Sequence, residues 1–117
     1  MKDDRLYLIH IIECLSRIEQ YTAEGKEAFL RDTKTQDAVL RNLQTLAEST
    51  QRLPPAIKAA HPEVGWERIV GFRNVLVHDY LGINMARVWE IVEHGLPDLK
   101  RQIHAILRLL GELPENR

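Results

Sequence analysis

The chain has 117 residues, of which 44% are hydrophobic and 28% are charged, and its formal net charge is −1. A chain of this length is typical of one domain around a single core, so we expect residues 1–117 to form one domain. The nearly neutral charge excludes binding to nucleic acid through bulk charge, and any such contact must come from a local basic patch.

The residue types near the start of the chain favour a protein of the cytoplasm. Cys14 is the only cysteine and cannot form an internal disulfide, which suits a reducing compartment. The apolar run at residues 6–12 is too short for a membrane span and contains His10, and the first residues show no signal-peptide pattern. We therefore expect a cytoplasmic protein without membrane contact.

A first helix is predicted by apolar positions that recur at helical spacing. Asp3 and Asp4 are candidate N-caps, and Gly25 is a plausible end of the helix. The positions on the predicted inward stripe are Leu8, Ile11, Ile12, Leu15 and Ile18. A connector that carries Phe29 and Leu30 is expected to follow.

A second helix is predicted to begin at Asp32 or Thr33. Thr33 and Gln36 have the spacing of a capping box, and Pro54-Pro55 ends the helix because proline cannot continue the hydrogen-bond ladder. The apolar side of this helix comprises Val39, Leu40, Leu43, Leu46 and Ala47. One short helical turn is expected at residues 56–60.

Residues 66–80 predict a mostly apolar helix, opened at residues 61–63, that ends in a cluster of ionisable side chains. At about 100° per residue its side chains fall into three lines. The first is a polar stripe of Glu67, Gly71, Asn74 and His78. The second faces the expected core and consists of Ile69, Phe72 and Leu76. The third has heptad spacing and consists of Trp66, Arg73 and Tyr80.

The remaining residues predict a turn at residues 81–83 and a last helical stretch that begins at the N-cap Asn84. A break or kink is expected near Gly95 and Pro97. No β-hairpin signal and no internal repeat occur. The fold class is therefore predicted to be all-α, an antiparallel bundle of about four to five helices.

The run Arg73-Asn74-Val75-Leu76-Val77-His78-Asp79-Tyr80 resembles the R-x4-H-x-Y motif of the HEPN superfamily, and specifically its HepT-like branch. The flanking residues agree with this resemblance: Gly65-Trp66, Leu81-Gly82-Ile83-Asn84, Val88-Trp89-Glu90-Ile91-Val92 and Leu96-Pro97-Asp98-Leu99. The resemblance covers about residues 60–110. It implies a HEPN-like bundle and a ribonuclease toxin of a toxin–antitoxin pair.

The residues of the motif suit metal-free cleavage of RNA, and no cofactor is expected. His78 suits proton transfer because an imidazole titrates near neutral pH. The planar fork of Arg73 suits a phosphate. Asn74, one turn before His78, can orient the imidazole or donate to phosphate.

The resemblance also implies a homodimer and a protein partner. One chain offers one histidine of this kind, and HEPN nucleases bring two R-x4-H motifs into one cleft. In HepT-like proteins the motif tyrosine, here Tyr80, receives AMP from a minimal nucleotidyltransferase antitoxin (MntA-like), which silences the toxin. This chain has no Gly-Ser with paired aspartates of the transferase type, so the modifying enzyme must be another protein.

Structural roles compete with these functional ones. Arg73 could form an ion pair with Glu13 or Glu19 of the first helix, and His78 could satisfy carbonyls at a helix C-terminus. Tyr80 and Trp66 could be core aromatics with polar tips.

Two further alternatives concern function and charge. The chain could be a non-catalytic helical binding partner of a minimal nucleotidyltransferase, which the acidic Asp79 slightly favours. Four basic residues could extend a positive rim or only form a solvated face: Arg68, Arg87, Lys100 and Arg101. The histidines lack the spacing of a zinc site.

Overall fold

Helices make up every regular element of residues 5–112, which are the part of the chain that the computed structural model describes. The α-helices in chain order are α1 (Arg5–Tyr21), α2 (Lys26–Arg31), α3 (Thr33–Gln51), α4 (Pro55–Ala60), α5 (Trp66–His78), α6 (Met85–Glu90) and α7 (Leu96–Glu112). Two 3-10 turns, Pro62–Val64 and Tyr80–Gly82, flank α5, and a π-helical segment, Ile91–Gly95, joins α6 to α7.

Contacts between distant residues show that the long helices pack antiparallel. His10, near the start of α1, forms a hydrogen bond of 3.0 Å with Ser49, near the end of α3. Lys100, near the start of α7, lies 2.7 Å from Glu19, near the end of α1. The predicted all-α antiparallel bundle is confirmed. Its long helices are α1, α3, α5 and α7, and α2, α4 and α6 are short.

The core is formed mainly by the apolar sides of α1, α3 and α7. Its fully buried members include Leu8, Ile11, Cys14, Leu15, Ile18, Val39, Leu40, Ile103 and Ile106. The predicted stripe of α1 is confirmed apart from Ile12, which is half-buried. Burial raises the pKa of the Cys14 thiol above its ordinary value.

The region between the first two long helices differs from the prediction. α1 ends at Tyr21, before Gly25, and the expected connector is the helix α2. Phe29 of α2 is buried, and its ring lies 5.5 Å from that of Trp89, measured between centroids. A helix of six residues is too short to show a periodic pattern, because it covers fewer than two turns.

The start of α3 is fixed by Asp32, one of the two predicted positions. Its carboxylate accepts hydrogen bonds from the backbone N–H of Lys34, at 3.1 Å, and from the hydroxyl of Thr35, at 2.7 Å. The predicted capping box does not form, because the side chain of Gln36 donates to the carbonyl of Phe29 at 2.9 Å. The candidate caps Asp3 and Asp4 lie outside the described residues.

α5 begins later than predicted, at Trp66. Gly65 has a positive φ of 73°, a left-handed conformation that glycine adopts without strain, and it separates the Pro62–Val64 turn from the helix. Asn84 is the N-cap of α6 as predicted, and its side chain accepts from the N–H groups of residues 86 and 87.

The predicted break near Gly95 and Pro97 is a wider helical turn. The chain stays helical through Ile91–Gly95, and Pro97 is the second residue of α7. Proline is tolerated in the first turn of a helix because its missing N–H is not needed there. None of the helices in residues 5–112 combines the length and apolar character needed to cross a membrane.

We expect substitutions on α1 to separate core from surface. Ile11→Ala should lower the free energy of unfolding by about 2–5 kcal/mol, because Ile11 is 0% exposed and the change leaves a cavity. Ile9→Ala is the matched control, since Ile9 on the same helix is 45% exposed, and it should change stability by about 0.5 kcal/mol or less. Urea denaturation followed by circular dichroism measures both, and equal losses would contradict the assigned face of α1.

Candidate active site on the motif helix

The helix α5 contributes little to the core. Leu76 is its only buried residue, and Ile69 and Phe72 are half-buried against the core cluster. The predicted polar stripe is exposed along its whole length: Glu67, Gly71, Asn74 and His78. Most of the surface of α5 therefore remains available to another molecule.

Trp66 anchors the beginning of α5 within the chain. Its indole N–H donates to the carbonyl oxygens of Lys58, at 3.1 Å, and His61, at 3.0 Å. Both acceptors belong to the region of α4, so the indole joins α5 to the preceding short helix. Trp66 therefore has a structural role, and its indole N–H has hydrogen-bond partners within the chain.

Arg73 has an anion partner, as its apolar surroundings require, but the partner lies on α3. A guanidinium nitrogen of Arg73 lies 3.7 Å from Oε2 of Glu48, and another lies 3.5 Å from Oδ1 of Asn74. The alternative partners on α1 are not the ones observed, since Glu19 pairs with Lys100 and the described residues show no ion pair between Glu13 and Arg73.

The hydrogen-bonding capacity of Arg73 is largely unused. The side chain is 28% exposed, and its buried Nε has no hydrogen-bond partner among the described residues. The distance to Glu48 exceeds a normal hydrogen bond. The guanidinium has five N–H donors and makes only two long contacts, so it can still donate two parallel hydrogen bonds to an anion.

His78 is the last residue of α5, and its side chain is exposed. Within residues 5–112 the imidazole forms no hydrogen bond or ion pair, so the role of a carbonyl-satisfying cap is not observed. α5 remains α-helical up to His78, and a spacing of five residues places Arg73 and His78 about 140° apart around the axis. Arg73 therefore contacts Asn74 of the polar stripe and not His78.

Tyr80 leaves the helical line and points to α3. It is the first residue of the Tyr80–Gly82 turn and is 44% exposed. Its hydroxyl donates to Oδ1 of Asp37 at 2.8 Å. This hydrogen bond to a carboxylate raises the pKa of Tyr80 above its ordinary value, with a further contribution from partial burial.

Glu48 and Asp37 are the site residues that sequence reasoning missed. They are eleven positions apart on α3, which is close to three full turns, so they lie on one face of that helix. Glu48 meets Arg73 and Asp37 meets Tyr80, which shows that α5 and α3 run antiparallel. The only signal in the sequence is this spacing of two carboxylates.

Two of the four basic residues that could extend a positive rim have acidic partners. Lys100 is paired with Glu19 and Arg101 with Asp98, so neither extends a free positive rim, whereas Arg68 and Arg87 are exposed. Over residues 5–112 no cluster of three or more histidine, cysteine, aspartate or glutamate residues could hold a metal ion.

The known proteins to which this chain is similar are named as ribonucleases. The family described as ribonuclease HepT-like matches residues 11–106. The "probable ribonuclease HepT" of Thermococcus cleftensis is 38% identical over 95 residues, covering 80% of this chain and 86% of the relative. The mRNA nuclease HepT of Shewanella oneidensis is 28% identical over 120 residues, covering 82% and 90%.

A longer relative and the solved structures complete the comparison. A Methanocaldococcus jannaschii protein, whose name joins a gamma-glutamylcyclotransferase to an RNase, is 32% identical over 117 residues. Those residues are 99% of this chain, which spans about half, 51%, of that relative. No solved structure gives a significant match. Since the family match covers most of the chain and includes the whole of α5, the chain belongs to the HepT-like ribonuclease family.

Proposed function

We propose that the chain is a metal-independent endoribonuclease toxin that acts through a dimeric R-x4-H site. In this proposal a partner nucleotidyltransferase silences it by attaching AMP to Tyr80. The observation that carries the proposal is the under-satisfied guanidinium of Arg73 next to the exposed stripe that ends at His78. Membership of a ribonuclease family supports the same reading.

Arg73 is proposed to bind the scissile phosphate. Its present anion, Glu48, is 43% exposed and 3.7 Å away, and a contact of this kind contributes little to stability. An RNA phosphate can replace it with two parallel charge-assisted hydrogen bonds. The guanidinium would then offset the charge that develops on the phosphorane.

His78 is proposed to transfer protons. As a base, its imidazole takes the proton of a 2′-hydroxyl while that oxygen attacks the phosphorus, and a protonated imidazole returns a proton to the departing 5′-oxygen. Its exposure and its lack of bonds within the described residues leave both ring nitrogens available. Asn74, in contact with Arg73, is proposed to orient the imidazole or the phosphate.

A homodimer is proposed because a single chain offers one such histidine and does not join Arg73 to it. Apolar side chains at and beyond the end of α5 are exposed: Val75 is 43%, Val77 39% and Leu81 100% exposed. Their position beside the polar stripe suits a twofold contact that brings two motifs together.

We expect light scattering at micromolar concentration to give twice the chain mass of 13.6 kDa. Leu81→Asp should shift the protein towards the monomer and lower ribonuclease activity in parallel, because a carboxylate would be buried at the contact. Leu109→Asp is the matched control, since Leu109 is also exposed but lies on α7. A monomer with full activity would overturn the composite site.

The cleavage mechanism is tested with His78→Ala and Arg73→Lys. His78→Ala removes a proton-transfer group and should lower the cleavage rate by about 10²–10⁴-fold. Arg73→Lys should also cleave RNA more slowly, because lysine keeps the positive charge of Arg73 but not its planar fork of donors. His94→Ala is the control, because His94 is exposed and lies on the π-helical segment. The assay follows a labelled RNA with EDTA present, and a thermal melt verifies folding. Normal cleavage by His78→Ala would remove the mechanism.

The regulatory step is tested with Tyr80→Phe, which removes only the acceptor oxygen. This variant should fold, dimerise and cleave RNA, because the phenol has no step in the proposed cleavage, but it should resist silencing by the nucleotidyltransferase with ATP and Mg²⁺. Tyr21→Phe is matched in exposure, at 41% against 44%, and should gain AMP like the wild type in intact-mass spectrometry. AMP on Tyr80→Phe would show that the motif tyrosine is not the switch.

A further inference from the structure

We propose that Asp37 is the general base for the modification of Tyr80, so that the toxin itself supplies the proton acceptor for its own silencing. The inference rests on the proposed function, because it assumes that Tyr80 is the AMP acceptor. It adds a catalytic residue from α3. Asp37 lies 43 positions before the motif tyrosine in the sequence.

The carboxylate of Asp37 lies directly beside the phenolic oxygen of Tyr80, the atom that would react. Oδ1 of Asp37 lies 2.8 Å from the phenolic oxygen and accepts its hydrogen, which is the distance required of a general base. Tyr80 is 44% exposed and Asp37 is exposed. With the O–H directed at Asp37, the oxygen lone pairs remain accessible to an incoming nucleotide.

The step can be written with its bonds and proton balanced. The phenolic oxygen attacks the α-phosphorus of a nucleoside triphosphate that the partner enzyme holds with Mg²⁺. The bond between Tyr80 and phosphorus forms, the bond to pyrophosphate breaks, and the proton passes to the carboxylate of Asp37. The product is a phosphodiester on Tyr80, and Asp37 then loses the proton to solvent.

The electrostatics of the pair explain why a base is needed. A phenol ordinarily ionises near pH 10, and the carboxylate raises the pKa of Tyr80 further, so preformed phenolate is scarce at neutral pH. The same carboxylate can accept the proton while the new bond to phosphorus withdraws charge from the oxygen. The proton therefore leaves during the attack and not before it.

Four charged or titratable side chains are neighbours of this pair in the sequence. Lys34 and Arg41 flank Asp37 at about one turn on α3, and His78 and Asp79 precede Tyr80 in the chain. None of these four forms a hydrogen bond or ion pair with Tyr80 or with the carboxylate of Asp37 in the described part of the chain.

The competing explanation is that Asp37 only ties α3 to the turn after α5. Asp37→Asn separates the two roles, because an amide oxygen still accepts the phenolic hydrogen bond but is a poor base. Asp37→Ala removes both and leaves space for a small carboxylate. Glu27→Gln, on the exposed side of α2, is the control for loss of one negative charge.

The experiment measures the initial rate of AMP addition to the full chain between pH 6.5 and 9, by intact-mass spectrometry. A minimal nucleotidyltransferase of the MntA type is supplied with ATP and Mg²⁺. Asp37→Asn should be slower than wild type by about 10²–10⁴-fold at pH 7. Its rate should rise about tenfold per pH unit, as expected when hydroxide must replace the base. Formate should restore the Asp37→Ala rate in proportion to its concentration.

Each outcome has a definite meaning. Asn and Ala variants that fold, cleave RNA normally and accept AMP at the wild-type rate would overturn the assignment. A slow Ala variant that formate does not rescue, with an Asn variant as fast as wild type, would also overturn it, because Asp37 would then act through packing. Failure of the wild type to gain AMP, or equal gain by Tyr80→Phe, would overturn the proposed function itself.

Discussion

The half-buried guanidinium of Arg73 is the constraint on which the arrangement of the site depends. A guanidinium keeps its charge in any protein environment, so packing α5 against α3 requires an anion on α3 within reach. Glu48 meets this requirement only loosely, at 3.7 Å. The contact leaves the Nε of Arg73 without a hydrogen-bond partner among the described residues, so most of the donor capacity of the guanidinium is unused.

The face of α3 that meets α5 carries two carboxylates, those of Glu48 and Asp37. Glu48 lies opposite Arg73 and Asp37 lies opposite Tyr80, and the antiparallel course of the helices sets this order. One helix therefore contacts both Arg73 and Tyr80, the residues to which cleavage and silencing are assigned in the proposed function. These contacts come from the polar side of α3, while its opposite side forms part of the core.

Local patterns predicted much of the fold, and long-range contacts explain what they could not predict. The faces of α1 and α5 and the cap at Asn84 follow from spacing within one helix. α2 was missed because six residues cannot show a period, and the start of α5 was misplaced because it depends on the left-handed Gly65. The motif residues Arg73, His78 and Tyr80 were visible together because they are neighbours in sequence. Their partners Glu48 and Asp37 were not, since only the packing of α5 on α3 brings them close.

The single thiol of the chain has a consequence for how the protein responds to its surroundings. Cys14 is fully buried, and burial raises its pKa, so the reactive thiolate is scarce. Oxidants and alkylating reagents reach it only when the bundle opens. A chain whose one sulfhydryl is inert in this way is insulated from changes in the thiol redox state of its environment.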